Sequence, residues 1–245
     1  MDRHEFSNGF DTLVSSYRRF RDFDGREPLD TIEFDEYEKS LFLTKAQEEL
    51  VSSLYNGRNS SLQSFEETEE LRRYLSGLIE EVELSPIATS NGMPLGVDSK
   101  SKFFTLPDDL WFITYEAVGV EGHPCSGETT AHTMEVVPVR QDEYHRLKKN
   151  PFRGANNRRA LRLDLSENNV EIVSKYQVTS YYVRYLKKLK PIVLEDMPDG
   201  LTVRGEFKAT DCELHEGLHE KILELAVDMA MKSKSIPATK NRESN

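Results

Sequence analysis

The spacing of apolar residues switches along this chain of 245 residues, and the switch limits what the chain can fold into. Before position 82, apolar side chains recur every three or four residues, which is the period of an amphipathic α-helix. From Val82 onward they alternate with polar ones as in a half-buried β-strand, and a helical period returns after residue 210. The sequence therefore predicts an α+β protein, with a helical bundle from both chain ends and an inserted antiparallel β module.

These periods divide the chain into three predicted regions. We expect residues 1–81 and 210–233 to form the helical bundle and residues 82–209 to form the β-rich module. Residues 234–245 contain almost no apolar side chains, so this tail has little surface to bury in a packed fold. We expect it to be disordered.

Three helices are predicted before position 82. The first carries six apolar side chains on one face: Phe6, Phe10, Leu13, Val14, Tyr17 and Phe20. The second covers residues 35–55 and the third residues 64–81, since each opens with the spacing of a capping box. The capping residues are Asp35 with Glu38, and Ser64 with Glu67. Acidic residues at the end of the third helix, Glu80 and Glu81, are interpreted as part of a solvated helix face.

The middle of the chain is predicted to be rich in β-strands. Alternating segments cover residues 82–87, 102–106, 111–118 and 133–139. Pro138 favours an edge position for the last of these, because proline cannot donate a hydrogen bond to a neighbouring strand. Residues 119–131 carry three glycines, a proline and several serines and threonines, and they predict a long exposed loop.

The second half of the chain returns from strands to a helix. A short helix is predicted at residues 141–149, and a hairpin joins residues 160–165 to residues 170–173. One face of the next strand carries Tyr181, Val183 and Tyr185. The final helix places five apolar residues in a narrow arc that must pack on a neighbour: Leu214, Leu218, Ile222, Leu225 and Met229.

Composition excludes several classes of protein. A net charge of −11 argues against a general nucleic-acid binder, because such proteins neutralise phosphates with clustered Lys and Arg. The two cysteines, Cys125 and Cys212, lie far apart, so neither a disulfide framework nor a zinc ribbon is expected. We expect the protein to be made in a reducing cytoplasm. The sequence shows no secretory signal, no membrane span, no phosphate-binding P-loop and no nucleophile elbow of a serine hydrolase.

One motif points to chemistry. The letters from His215 to His219 satisfy the zinc-peptidase pattern H-E-x-x-H, in which a helix brings both imidazoles to one ion while Glu216 polarises the bound water. A peptidase also needs a third ligand. The candidates downstream are Glu224, Asp228 and Glu243, and Cys212 could join as a soft ligand.

Several features favour a structural interpretation of the same letters. The motif lies in the first turn of a short helix, where Gly217 costs about 1 kcal/mol relative to alanine. On this interpretation His215 is an exposed residue of the first turn, His219 packs at the edge of the helix core and Cys212 is a half-buried hydrophobe. We therefore expect no catalytic residue, no metal and no cofactor. A small zinc metallopeptidase using His215, Glu216 and His219 is the alternative.

One basic cluster is interleaved with aromatic residues, and it is taken as the only such cluster in the chain. It consists of Arg184, Lys187, Lys188 and Lys190, near Tyr181, Tyr182 and Tyr185. Contact with nucleic acid is one interpretation. A charged strand exterior, or a contact with an acidic neighbouring subunit, fits the acidic composition better.

Four blocks in a fixed order carry a resemblance to a known family. They are residues 33–57 (EFDEYEKSLFLTKAQEELVSSLYNG), 106–118 (LPDDLWFITYEAV), 136–154 (VVPVRQDEYHRLKKNPFRG) and 182–229. Together they resemble the tail-connector, or ring, proteins of crAss-like bacteriophages of gut Bacteroidetes. They are more distantly similar to the tail tubular adaptors of short-tailed phages.

The resemblance implies a structural virion protein and not an enzyme. Such a protein would be a subunit of a head-to-tail connector or tail ring of twelve copies, made in the host cytoplasm and carried in the virion. Its partners would be the portal protein, other tail ring proteins and DNA passing through the lumen without specific binding. The acidic composition is compatible with this, since strong basic contacts in a lumen would hold the phosphates of the DNA.

Overall fold

A computed structural model describes residues 1–23, 33–57, 68–87, 96–98, 100–122, 131–198 and 200–235, without the side chains of residues 17–23 and 235. The chain divides into two compact units. The helical unit combines Met1–Gly77 with Leu189–Asn245, and the β unit is Leu78–Lys188. The predicted domain limits at residues 81/82 and 209/210 stay predictions. Most of the predicted disordered tail lies outside the described residues.

The described residues contain five α-helices and seven β-strands, so the mixed α+β class is confirmed. The helices are α1 (Arg3–Phe23), α2 (Glu36–Tyr55), α3 (Glu69–Leu75), α4 (Gln141–Lys148) and α5 (His219–Ser235). The strands are β1 (Ile79–Leu84), β2 (Lys102–Thr105), β3 (Leu110–Glu121), β4 (Ala131–Pro138), β5 (Arg159–Asp164), β6 (Asn169–Val173) and β7 (Gln177–Lys187).

The start of α2 confirms the predicted capping box. The Asp35 carboxylate accepts a hydrogen bond from the backbone N–H of Glu38 at 2.6 Å, and the Glu38 carboxylate accepts one from the backbone N–H of Asp35 at 3.4 Å. Both residues thus satisfy N–H groups that a helix start leaves without partners. The helix ends at Tyr55, as the sequence predicts.

The third predicted helix is shorter than expected. Its start at residues 64–67 lies outside the described residues, and the end predicted at residue 81 is wrong. A short 3-10 turn that includes Gly77 follows α3, and Glu80 and Glu81 belong to β1. Glycine is unfavourable inside a helix, so the helix does not continue through Gly77. Glu80 and Glu81 form ion pairs with basic residues of β7, which supports the pairing of this segment as a strand.

Helix α5 packs against α1 and α2 in the helical unit. Its buried apolar side chains are Ile222, Leu223, Ala226, Val227 and Ala230. Helix α1 comes close at Gly9, where an added Cβ would lie 2.7 Å from Cδ2 of Leu223. Of the predicted packing arc, Leu214, Leu218 and Ile222 are buried, whereas Leu225 and Met229 are half-buried. The helix begins at His219, so the apolar residues before that point do not set its buried face.

The β unit holds one sheet with the strand order β1-β7-β3-β4-β5-β6-β2. All neighbouring strands are antiparallel except β4 and β5, which are parallel, so the prediction of a purely antiparallel module is wrong. Parallel neighbours need a crossover connection instead of a tight turn. Helix α4, which the sequence predicts at residues 141–149, lies in that crossover.

Pro138 does not mark an edge strand. Strand β4 lies between β3 and β5, which corrects the prediction. The register with β3 ends at Glu135, so the missing N–H of Pro138 lies beyond the β3 ladder. The predicted loop at residues 119–131 is also too long, because β3 continues to Glu121; residues 123–130 lie outside the described residues.

The hairpin between β5 and β6 is confirmed. Its turn contains Glu167 and Asn168, each with a φ of 57°. Two successive residues with positive φ are typical of the tight turns that match the twist of paired strands.

The sheet curls, so that strands from opposite ends of its order meet in one core. The ring of Tyr181 on β7 lies 5.4 Å from the ring of Phe104 on β2, centroid to centroid. The Tyr181 hydroxyl donates a hydrogen bond to the Glu116 carboxylate on β3 at 2.6 Å. Arg162 on β5 donates to the same oxygen at 2.8 Å. Burial raises the pKa of Glu116, and Arg162 opposes that rise.

Replacing Tyr181 with phenylalanine should destabilise the β unit. The variant keeps the buried ring but removes a hydrogen bond to a mostly buried carboxylate, so we expect a loss of about 2 kcal/mol of unfolding free energy. Urea unfolding followed by fluorescence measures this difference. The matched control is Tyr182→Phe, whose side chain is 37% exposed, with an expected change below about 0.5 kcal/mol. Equal effects of the two changes would contradict the role given to the Tyr181 hydroxyl.

Candidate functional site

The H-E-x-x-H residues do not share one helical turn. His215 caps a 3-10 turn formed by Glu216–Leu218, and His219 is the first residue of α5. The pattern requires both histidines on one face of an α-helix, where side chains four residues apart are neighbours. The change from 3-10 turn to α-helix inside the motif removes that arrangement.

His219 is buried, and both of its ring nitrogens have protein partners. Its Nδ1 lies 2.8 Å from the amino group of Met1, and its Nε2 lies 2.9 Å from the carbonyl oxygen of Leu214. A neutral ring fits both, because Nε2–H can donate to the carbonyl while Nδ1 accepts from the ammonium group. Burial lowers the pKa of His219, and the positive charge of Met1 adds to this effect. The predicted packing role agrees with this geometry.

His215 faces another part of the helical unit. Its Nδ1 accepts a hydrogen bond from the backbone N–H of Gly217 at 3.1 Å, and its ring lies 5.3 Å from that of Tyr74. The histidine is exposed, as the structural interpretation predicts. These contacts hold the His215 ring against Tyr74 of α3.

The candidate third ligands do not complete a metal site. Glu224 is exposed, Asp228 forms an ion pair with Lys232, and Glu243 lies outside the described residues. Within the described part of the chain, no group of three His, Cys, Asp or Glu side chains is placed to hold a metal ion. The geometry therefore gives the zinc-peptidase interpretation no support.

Cys212 behaves as a half-buried apolar residue. Burial raises the pKa of its thiol to about 11, so the thiolate that binds metals is scarce near neutral pH. Its Sγ lies 4.0 Å from Oε1 of Gln47 on α2.

The predicted basic cluster is engaged with its own chain. Arg184 pairs with Glu81 at 2.7 Å, Lys187 with Glu80 at 3.4 Å and Lys190 with Glu213 at 3.1 Å, while Lys188 donates to the backbone oxygen of Asp108 at 2.8 Å. Opposite charges across β1 and β7 account for Arg184 and Lys187, whereas Lys188 and Lys190 follow the end of β7. The strand part of the cluster is thus a charged strand exterior, one of the alternatives drawn from the sequence.

The outward side of β1, β7 and β3 presents an aromatic surface, which we call the outer sheet face. Its central side chains are Tyr115, 57% exposed, and Tyr182, 37% exposed. The guanidinium of Arg184 lies 5.9 Å from the Tyr115 ring centroid and pairs with Glu81. These residues line a shallow concavity of about 430 Å³. Aromatic rings and arginine are the side chains most enriched at protein contacts.

Comparison with known proteins decides the family. The sequence matches the family described as Phage tail ring protein 3/4 over residues 1–242. The chain belongs to this family. It is 44% identical to Ring protein 3 of Bacteroides phage crAss001 over 244 residues, 99% of this chain and 100% of the relative. It is 28% identical to Ring protein 4/5 of the same phage over 239 residues, 94% of this chain and 92% of the relative.

The resemblance drawn from the four sequence blocks is therefore confirmed. This tail ring protein is a structural component of a crAss-like phage tail. Among its described helices, none combines the length and apolar character needed to span a bilayer.

Three exposed aromatic residues of the ring protein, Tyr115, Phe152 and Phe207, were not predicted from the sequence. Tyr115 follows a break in the register between β3 and β7, so simple alternation does not fix its face. Phe152 is 85% exposed and is flanked by a second basic segment, residues 146–159. The expectation of a single basic cluster with aromatic residues is thus wrong. The signal was present in the letters KKNPFRGANNRR.

The stability of the ring protein should depend on the protonation of His219. The pKa of His219 is lower in the folded chain than the ordinary histidine value of about 6.5. As the pH falls through about 6.5, the histidine is therefore protonated in the unfolded chain before it is protonated in the folded chain. The contribution of His219 to the unfolding free energy should be complete above about pH 6.5 and decrease as the pH falls below it. Urea unfolding at a series of pH values measures the decrease.

The variant His219→Gln should show a smaller decrease on acidification, at a lower overall stability. The exposed His215 supplies the control, since His215→Gln should retain the pH profile of the wild type. Superimposable profiles for the wild type and His219→Gln would refute the assignment of a buried neutral ring.

Proposed function

We propose that this tail ring protein is a non-enzymatic subunit of a closed head-to-tail connector ring in the phage particle, through which DNA passes. The observation that carries the proposal is its full-length similarity to Ring protein 3, with 44% identity over 99% of the chain. Because the similarity covers 99% of this chain and 100% of the relative, it supports one shared architecture for the two whole chains.

The charge of the chain supports passage of DNA without retention. The net charge is −11, and the basic residues of the predicted cluster are engaged with partners in their own chain. A lumen built from such acidic subunits repels the phosphates of DNA on balance, which favours passage without retention. The protein needs no cofactor for this role.

A closed ring sets a geometric requirement on the subunit. Each copy must use two different faces, because rotational rings are closed by heterologous contacts. The outer sheet face supports one such contact, since Tyr115 and Tyr182 offer large rings of low conformational entropy. Helices from both chain ends, α1, α2 and α5, form the bundle of the subunit, supported by the packing of α5 on α1 and α2.

The remaining details of the proposal follow from the resemblance. The ring has twelve copies, and its neighbours along the tail axis are the portal protein and other tail ring proteins. The subunit is made in the host cytoplasm and resides in the virion.

The test is the oligomeric state of the purified full-length chain. We expect closed rings of uniform subunit number, twelve, by mass photometry and negative-stain electron microscopy, with an open channel wide enough for duplex DNA. The measurement should cover a range of protein concentrations, since ring closure is cooperative. A chain that stays monomeric at every concentration would count against the proposal.

A further inference from the structure

A second basic segment of the β unit runs from the end of α4 to the start of β5; we call residues 146–159 the basic tip. It contains six basic residues and no acidic one. The basic residues are Arg146, Lys148, Lys149, Arg153, Arg158 and Arg159. Such a concentration of one charge stands out in a chain with a net charge of −11. This positive charge favours binding to a negatively charged partner.

The basic tip is held in a fixed shape by two asparagines. The Asn150 side-chain oxygen accepts hydrogen bonds from the backbone N–H groups of Phe152 at 2.9 Å and Arg153 at 3.2 Å. The Asn156 side-chain oxygen does the same for the N–H groups of Arg158 at 2.8 Å and Arg159 at 3.0 Å. Side chains that bind their own backbone in this way define turns. The tip is thus organised before any partner binds.

Gly154 closes the first of these turns. Its N–H donates to the Asn150 carbonyl oxygen at 2.8 Å, and an added Cβ would lie 2.8 Å from the carbonyl oxygens of both Asn150 and Leu147. Only glycine allows the chain to pass this close to the end of α4. The sequence thus favours a rigid tip.

This rigid tip holds Phe152 out into solvent. The side chain is 85% exposed, which makes it the most exposed large apolar residue in the described part of the chain. An exposed aromatic ring on a hydrogen-bonded turn has the character of an interface anchor. Association buries the ring at a low entropic cost, because the turn is already ordered.

Several cations around Phe152 have no partner in the described chain. Arg146 pairs with Glu143 at 3.4 Å and Lys148 with Asp98 at 2.8 Å. Lys149, Arg153 and Arg158 form no ion pair with any described residue. These three are available for an acidic partner.

The helical unit has the complementary charge. It carries 28 acidic and 18 basic residues, whereas the β unit carries 15 and 14. Exposed glutamates follow one another at a spacing of four on the solvent side of α5 and the turn before it; this acidic stripe consists of Glu216, Glu220 and Glu224. Glu220 and Glu224 are four apart on α5, so their like charges repel each other. An approaching basic surface would relieve that repulsion.

We propose that the basic tip, with Phe152 as its anchor, docks on the acidic stripe of the helical unit in a neighbouring copy of this chain. This inference rests on the proposed ring, and it supplies the two unlike faces that a heterologous contact needs. The six basic residues of the tip and the glutamates of the acidic stripe provide the complementarity, and complementary charge at an interface fixes register and speeds encounter.

A protein partner explains Phe152 better than DNA does. An apolar side chain enters duplex DNA by unstacking base pairs, which costs energy and kinks the duplex. A neighbouring protein surface can instead bury the ring in a pocket without that cost. The net charge of −11 also repels DNA from the chain as a whole.

Charge reversal tests the proposal in the full-length chain. The tip-reversed variant is Arg153→Glu with Arg158→Glu, and the stripe-reversed variant is Glu220→Lys with Glu224→Lys. Each should raise the protein concentration needed for half-maximal ring formation at least about tenfold, measured by mass photometry and electron microscopy. The chain carrying both reversals should form rings again, because the charges are complementary with the signs exchanged.

An equimolar mixture of the two reversed variants should also form rings, in which the variants alternate. Phe152→Ser should weaken ring formation without changing the charge. The matched control is Lys45→Glu with Lys208→Glu, which reverses two exposed lysines outside both surfaces and should leave ring formation unchanged. Circular dichroism should show the same melting temperature for all variants.

The possible outcomes distinguish a failure of the docking proposal from a failure of the proposed ring function. If the wild type forms rings and the tip-reversed variant does so equally well, the docking proposal is wrong while the ring function stands. A rise in half-maximal concentration without rescue by the double reversal refutes the acidic stripe as the partner. If tip reversal abolishes binding of a DNA duplex at physiological salt and spares the rings, the tip contacts DNA instead. A wild type that forms no ring removes both proposals.

Discussion

A buried carboxylate shared by an arginine and a tyrosine is the interaction on which the β unit depends. Glu116 accepts hydrogen bonds from Tyr181 and Arg162, which brings three strands of the sheet to one point. The Tyr181 ring also packs against Phe104 on β2, so the sheet must curl for these contacts to form. Removing one partner would leave an uncompensated buried charge, which is why the three residues act as a unit.

The curled sheet separates the two sides of each strand. Tyr181 and Tyr182 are adjacent on β7, yet the first is fully buried and the second is 37% exposed. The inward residues complete the core, and the outward residues, together with Tyr115, are exposed. The same strand thus contributes one side to the core and the other to the outer sheet face.

Local chemistry explains what the sequence predicts well. The capping box at Asp35 and the alternation along β7 depend on residues close in sequence, so their outcome can be derived from the letters. The parallel pairing of β4 with β5 depends on which distant strands meet. His215 and His219 have the spacing of a zinc site, but the helix begins between them, and spacing alone does not fix that start. The exposure of Phe152 likewise follows from tertiary packing.

The most direct test of the central claim is a cryo-electron microscopy map of intact phage tails at side-chain resolution. We predict a closed ring of this chain around a central channel, in which Phe152 of each copy is buried against the helical unit of the neighbouring copy. A tail in which the chain is absent, or in which its copies lie apart without closing a ring, would contradict it.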